Sequence, residues 1–263
     1  MKKLTIQFVV FVAGFFALWL ALSQVDWLTL FKVAKLSKAH QKELGTYVLN
    51  AYNFDKKQLS DSRSQKIIAD LKNRICLANQ VDIATIQTYI FHDAEVNAFA
   101  MPGGNVIVNT ALISYCDNPD MLAGVLAHEI AHVQKEHVNK KLIRNIGMSS
   151  LLLLAGGSQN AGVIKRILQT LTTSSFDRDD EREADRVAVS YLQQTKIDPL
   201  PLAAFFAKMD KHAGAAPDLL DWVSTHPDAA ERAASVRNAV GSTNVFRSSI
   251  DSASWTYLQQ QCR

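Results

Sequence analysis

The chain opens with a long apolar run. From Leu4 to Leu22 the polar residues are Thr5 and Gln7, and no charge follows Lys3 until Asp26. These 19 residues extend about 28 Å at helical rise, close to the hydrocarbon thickness of a bilayer. Lys2 and Lys3 favour a cytoplasmic N-terminus. Residues 1–26 therefore read as an uncleaved transmembrane anchor, with Trp19 and Trp27 near the interface. The bulk of the chain would then lie across the membrane, in the periplasm of a Gram-negative bacterium. A cleavable signal peptide is the competing reading, since Ala21-Leu22-Ser23 is a tolerable cleavage site. A core helix fits worst, because the run is apolar on every side.

Beyond the run, residues 31–52 and 60–78 read as two amphipathic helices, with Ile67, Ile68, Leu71 and Ile75 at helical spacing. The period then changes. Thr85 to Phe91 alternates like a strand, and Asn97 to Val108 reads as two short strands around Pro102-Gly103-Gly104. From Asn118 onward the pattern is helical, with Pro119, Pro199 and Pro227 near helix starts. Ile146–Ala155 is a second apolar block, too short to span a bilayer. It reads as a core helix, or else as a flap or membrane-surface segment. The expected class is α+β, mainly α, with one small β-sheet.

Composition narrows the classes. Of 263 residues, 48% are hydrophobic and 20% charged, which fits a globular domain and excludes wholesale disorder or a multi-span membrane protein. The 28 basic residues barely exceed the 25 acidic ones, and no Lys/Arg stripe suggests nucleic acid. Three cysteines make no disulfide framework and no C-x-x-C pattern. Cys76, Cys116 and Cys262 allow three single pairings, among which the sequence does not choose.

The chemistry lies mid-chain. His128-Glu129-Ile130-Ala131-His132 is an H-E-x-x-H motif in a helical stretch. Residues four apart share a helix face, so both imidazoles can reach one Zn²⁺. Glu129 projects beside that metal, placed to deprotonate an activated water. A third protein ligand is required. His137 does not have the spacing of the metzincin third histidine and reads as an exposed or structural residue. Asp177-Arg-Asp-Asp-Glu181-Arg-Glu-Ala-Asp185 is the better source. Glu181 and Asp185 are four apart on one predicted face. One can bind the metal, and the other can accept a hydrogen bond from a ligand histidine's outer nitrogen. Glu183 competes but has no acid four residues on.

With Glu181 standing 49 residues after His132, these residues resemble the gluzincin endopeptidases of metallopeptidase family M48. The resemblance runs from about Asn97 to Arg232. It includes the Asn97-Ala-Phe-Ala-Met-Pro-Gly-Gly strand and turn, and Thr225-His226-Pro227 with Arg232 after it. It implies a helical zinc endopeptidase with a small sheet. His128, His132 and Glu181 would be ligands of one zinc, Glu129 the general base, and Asp185 the partner of a ligand histidine. On this reading residues 27–80 are a helical N-terminal part, 81–241 the peptidase core and 242–263 a C-terminal tail. The chain departs from members with several spans and resembles the small, singly anchored or secreted bacterial ones.

The expected substrates are unfolded or misfolded polypeptides. An edge strand over Asn97, Ala98 and Phe99 would pair with an extended substrate through its backbone. Arg232 would support substrate binding, or else pair with a surface acid. His226, read as the N-cap of a helix beginning at Pro227, would stay neutral at the helix's positive end and donate a hydrogen bond to the oxyanion. Alternatively it fills the metal's open position and keeps the enzyme latent. Two other functional classes remain in play: a membrane-tethered chaperone with structural zinc, and a zinc hydrolase acting on a small molecule or cell-wall peptide.

Overall fold

The computed structural model describes residues 36–157, 160–212, 220–240 and 245–262, with a few isolated positions between 7 and 19. Met1–Ser37 and Lys38–Arg263 are separate compact units. In the first, Gln7, Phe11, Val12, Gly14, Phe15, Phe16 and Trp19 are helical, and the rest of the predicted anchor lies outside the described residues. Among the described residues no helix is long and apolar enough to cross a membrane.

The second unit begins with α1 (Lys38–Asp55), β1 (Lys57–Gln58) and α2 (Ser62–Ala78). Asp61 starts α2 by accepting from the Ser64 N–H at 2.7 Å. Three strands follow: β2 (Gln87–His92), β3 (Ala98–Ala100) and β4 (Asn105–Asn109). The predicted strand at Thr85 begins two residues later, because Asp82 caps a 3₁₀ turn over Ile83–Thr85. The sheet order is β1-β2-β4-β3. β4 lies parallel to β2 and antiparallel to β3, with Ala98 opposite Val108 and Ala100 opposite Val106. The Pro102–Gly104 turn between β3 and β4 needs φ of 74° and 82° at its two glycines.

The helices are α3 (Thr110–Tyr115), α4 (Pro119–Gln134), α5 (His137–Ile146), α6 (Met148–Ala155), α7 (Ala161–Thr173), α8 (Arg178–Gln194), α9 (Leu200–His212), α10 (Leu220–Thr225), α11 (Ala229–Ala239) and α12 (Ser252–Gln261). The fold is thus mainly helical with one small mixed sheet. α4 is its axis. Asn118 accepts from the Met121 N–H at 2.9 Å, and Pro119 occupies the first turn. Every residue from Met121 to His132 is buried, against α8, α9 and β3. Burial of Leu122, Val125, Leu126 and Ile130 contributes about 1.5–3 kcal/mol each.

The block at Ile146–Ala155 divides by face: Leu151 and Leu154 are buried, while Leu153 is 67% exposed. Residues 242–263, expected as a tail, contain α12, and Ile250, Leu258 and Cys262 join the core. The three cysteines are buried free thiols.

The packing of α1 on the Pro102–Gly104 turn yields a stability prediction. A Cβ on Gly45 would lie 2.3 Å from the Pro102 carbonyl oxygen. Alanine would gain about 1 kcal/mol of helix propensity but overpack by about 1–3 kcal/mol. Gly45→Ala is therefore expected to lower Tm, and thermal unfolding at or above the wild-type Tm would show that this contact yields freely.

Candidate metal centre

α8 reaches the centre because its sequence gives it one buried stripe: Glu181, Ala184, Asp185, Ala188, Val189 and Leu192. That stripe packs along α4. Glu181 and Asp185 stand at its N-terminal end, so the packing that buries Ala188 and Leu192 also carries both carboxylates to the H-E-x-x-H face.

The metal-binding atoms converge. His128 Nε2 and His132 Nε2 are 2.9 Å apart. Glu181 Oε1 lies 3.3 Å from His132 Nε2, and Oε2 lies 3.6 Å from His128 Nε2. His226, just past α10, supplies a further nitrogen. One ligand atom from each of the four falls within 4.8 Å of the others, an arrangement that could hold a metal ion. All four residues are buried, as is Glu129. His226 Nε2 and both Glu129 oxygens have no hydrogen-bond partner, although Glu129 Oε1 lies 3.6 Å from His226 Nε2. Buried polar atoms without partners are costly, and two imidazoles, a third nitrogen and a carboxylate are a donor set suited to zinc.

The electrostatics favour ligand-competent imidazoles. Burial, reinforced by the His132 and Arg232 charges, brings His128 down to about 4. Burial also holds His132 and His226 well below the ordinary range, helped by His137 for the first and by His128 and His132 for the second. Their lone pairs are therefore free at neutral pH. Burial and the Glu181 charge push Glu129 well up, opposed by the Ala100 backbone N–H and Arg232.

Asp185 accepts from His128 Nδ1 at 2.9 Å. Burial pushes the Asp185 carboxyl up, but the Arg232 guanidinium outweighs it and holds the group well below the usual range. Arg232 was expected beside the substrate or on the surface. It is 3% exposed, with Nη1 2.6 Å from Glu181 Oε2 and both Nε and Nη2 2.8 Å from the Asp185 oxygens. Its guanidinium is engaged by the two acids, and Nη1 also reaches the His226 carbonyl at 3.5 Å.

His226 is also displaced from its expected place. α11 begins at Ala229 with Asp228 at its N-cap (φ 64°), so His226 caps no helix. Instead its N–H bonds to the Trp222 carbonyl at 2.8 Å, at the C-terminal end of α10. Burial, not a helix N-terminus, keeps it neutral. Its ring stacks on Trp222 at 4.1 Å and 15°. Asn97, Ala98 and Phe99 lie at the start of edge strand β3, which packs on α4. All three are buried, and the Asn97 side-chain amide has no partner.

Two buried residues lie beside the centre: His137, which takes the structural of its two expected roles, and Lys141, which the sequence does not mark. His137 is fully buried, not exposed, with Nδ1 3.1 Å from His132 Nδ1. Glu183, the rival ligand, bonds instead to His137 Nε2 at 3.2 Å and Lys135 Nζ at 2.9 Å, which bring its carboxyl down to about 2. Lys141 is 2% exposed, its Nζ without a hydrogen bond and 4.1 Å over the Phe176 ring. Phe176 in turn stacks on His132 at 4.1 Å. A lysine five residues into a polar-looking helix gives no sign of burial by itself.

A helical domain that carries H-E-x-x-H on one helix and a carboxylate on a second, beside a small sheet, has the form of a metallopeptidase. Residues 61–240 match the Peptidase family M48 description, and the chain belongs to that family. It is 30% identical over 220 residues to the Beta-barrel assembly-enhancing protease of Escherichia coli K12, covering 77% of this chain and 44% of the relative. It is 29% identical to the Mitochondrial metalloendopeptidase OMA1 of Schizosaccharomyces pombe, over 72% of this chain and 57% of the relative. Metalloprotease LoiP of Escherichia coli K12 is 28% identical, over 64% and 68%. The chain spans less than half the length of the beta-barrel assembly-enhancing protease it matches.

Lys141 supplies a stability test. Burial lowers its pKa from 10.5 to about 8, against the raising effect of Glu129 and Glu181. Between these values the unfolded chain holds a proton that the folded one lacks, so stability rises with pH from about 8 toward 10.5. Below pH 8 the buried ammonium costs on the order of 3 kcal/mol. In metal-free protein, Lys141→Met is expected to be more stable at pH 7 and to lose that pH-dependent gain. Denaturant unfolding at pH 7 and pH 10 measures both, and unchanged curves would overturn the assignment.

Proposed function

We propose that the chain is a zinc-dependent endopeptidase with one Zn²⁺ held by His128, His132 and Glu181, and Glu129 as general base. The observation that carries this reading is the convergence of two neutral imidazoles and a carboxylate on one buried point, beside the buried Glu129 carboxylate. Bound zinc would supply Lewis acidity to water and to the scissile carbonyl. Glu129 takes the proton from the attacking water and delivers it to the leaving amine. Asp185 holds His128 in register, and Arg232 holds both carboxylates in place. Backbone groups of β3 pair with an extended substrate, a mode that suits unfolded polypeptides.

The beta-barrel assembly-enhancing relatives point to cell-envelope proteins as substrates. The apolar N-terminal run would tether the domain to the inner membrane facing the periplasm, or release it there after signal cleavage. A reporter fused after Val25 is then expected to be active only outside the cytoplasm; a cytoplasmically active fusion would refute this topology.

A second reading, favoured by the burial of the whole site, makes the closed form latent. His226 Nε2 stands among the ligand atoms with no partner of its own, where it would fill the position a substrate carbonyl needs. The two roles for His226 differ in outcome. An oxyanion donor predicts a fall of about 10²–10³ in kcat for His226→Ala with zinc retained. The closed geometry favours activity at or above wild type. Casein proteolysis with metal analysis decides between them. Purified wild type is expected to carry about one zinc per chain, and Glu129→Gln to keep that zinc while losing proteolysis. If Glu129→Gln cleaves as fast as wild type, the base assignment fails. If metal is retained without any proteolysis in wild type and in His226→Ala alike, the chaperone reading stands in its place.

A further inference from the structure

We infer that His137 is a positioning residue for the metal: it fixes the tautomer and ring plane of His132 through a relay that ends on Asp180 and Glu183. This rests on the zinc reading above.

A histidine that binds a metal through Nε2 carries its proton on Nδ1, and that N–H needs an acceptor. His128 has one in Asp185, at 2.9 Å. For His132 the acceptor is His137 Nδ1, at 3.1 Å. Of two facing Nδ1 atoms, one must donate. His132 does so, because its other nitrogen points among the ligand atoms. His137 must then accept at Nδ1 and carry its own proton on Nε2. That nitrogen lies 3.2 Å from Glu183 Oε2 and 3.4 Å from Asp180 Oδ1, so it has acceptors. The carboxylates are held in turn: Glu183 by Lys135 at 2.9 Å, and Asp180 by Lys140 and Arg144 at 3.8 Å each.

The local fold builds this relay. α4 ends at Gln134, and Glu136 takes a left-handed conformation (φ 57°) that turns the chain into α5 at His137. The reversal brings His137 back beside His132, five residues earlier, where helical spacing would not place it. The two ligand histidines are thus held differently. His128 has a carboxylate directly; His132 reaches its carboxylates through a second imidazole.

The test is zinc affinity, measured by chelator competition. His137→Leu keeps bulk and removes the acceptor; His137→Asn restores an acceptor near the Nδ1 position. Loss of such a partner typically weakens metal binding about 10–100-fold. That loss is expected for His137→Leu, with most of it recovered in His137→Asn, a rescue that a packing role would not produce. The Asp180→Ala/Glu183→Ala double variant removes both acceptors at the far end of the relay, at partly exposed positions, and is expected to weaken zinc in the same direction. Leucine and wild type with equal affinity, or asparagine no better than leucine, would overturn the inference. If His137→Leu does not fold, a double variant that holds zinc as tightly as wild type overturns it instead. Wild type that binds no zinc would refute the metal reading itself, whereas zinc binding without proteolysis leaves this measurement intact.

Discussion

The structure depends on one buried guanidinium. Arg232, on α11, touches Glu181 and Asp185 of α8 at 2.6–2.8 Å, and those two carboxylates face the histidines of α4. Two carboxylates out of water cost several kcal/mol each unless they are paired. Arg232 offsets that cost for both and packs its own charge over the Phe206 ring at 4.1 Å. Three helices from distant parts of the chain are therefore joined through one cation. Removing that cation would leave two unpaired charges in the core, a loss far beyond that of a surface ion pair.

The same cluster explains why the centre tolerates so much polarity. Each acidic group is matched on a different side: Glu181 by Arg232 and the imidazoles, Asp185 by Arg232 and His128. The buried atoms without a hydrogen bond include His226 Nε2 and the Glu129 oxygens, which lie beside the convergence point. Orphaned groups scattered through a core would only destabilise it. Gathered at one point, they describe the space a dication and a reacting group would fill.

The features that were legible in the sequence are those that depend on helix period alone. His128 and His132, and again Glu181 and Asp185, share a face because 3.6 residues make a turn, whatever surrounds them. The Pro102-Gly103-Gly104 turn was legible because its chemistry is local. What depends on tertiary packing was not. Nothing local says that Arg232 runs inward, that Lys141 is buried over Phe176, or that β4 inserts between β2 and β3. His226 was misplaced because Pro227 suits a helix start, but the backbone at Asp228 reverses first and α11 begins at Ala229. His137 takes the structural of its two expected roles, but its place beside His132 depends on the chain turning at Glu136, which helix period alone does not give.

The four candidate ligands are not held alike. His128, His132 and Glu181 lie on α4 and α8, helices of 16 and 17 residues packed along each other and tied by Arg232. His226 follows α10, a helix of six residues. Its ring is held by the Trp222 stack and the Thr225 hydroxyl at 2.9 Å, and α10 is tied to the neighbouring segment by the Phe176 N–H to the Thr225 carbonyl. Short helices held by few backbone bonds open at lower free energy than long packed ones. Displacing α10 with His226 would break the Phe176 N–H bond to the Thr225 carbonyl, the edge contact of Trp222 with Phe205 at 5.3 Å and the Arg232 Nη1 bond to the His226 carbonyl at 3.5 Å, while the bonds from Arg232 to Glu181 and Asp185 arise on α11 and α8 and would survive. Opening at α10 would therefore change access to the centre while leaving the candidate ligands of α4 and α8 in place.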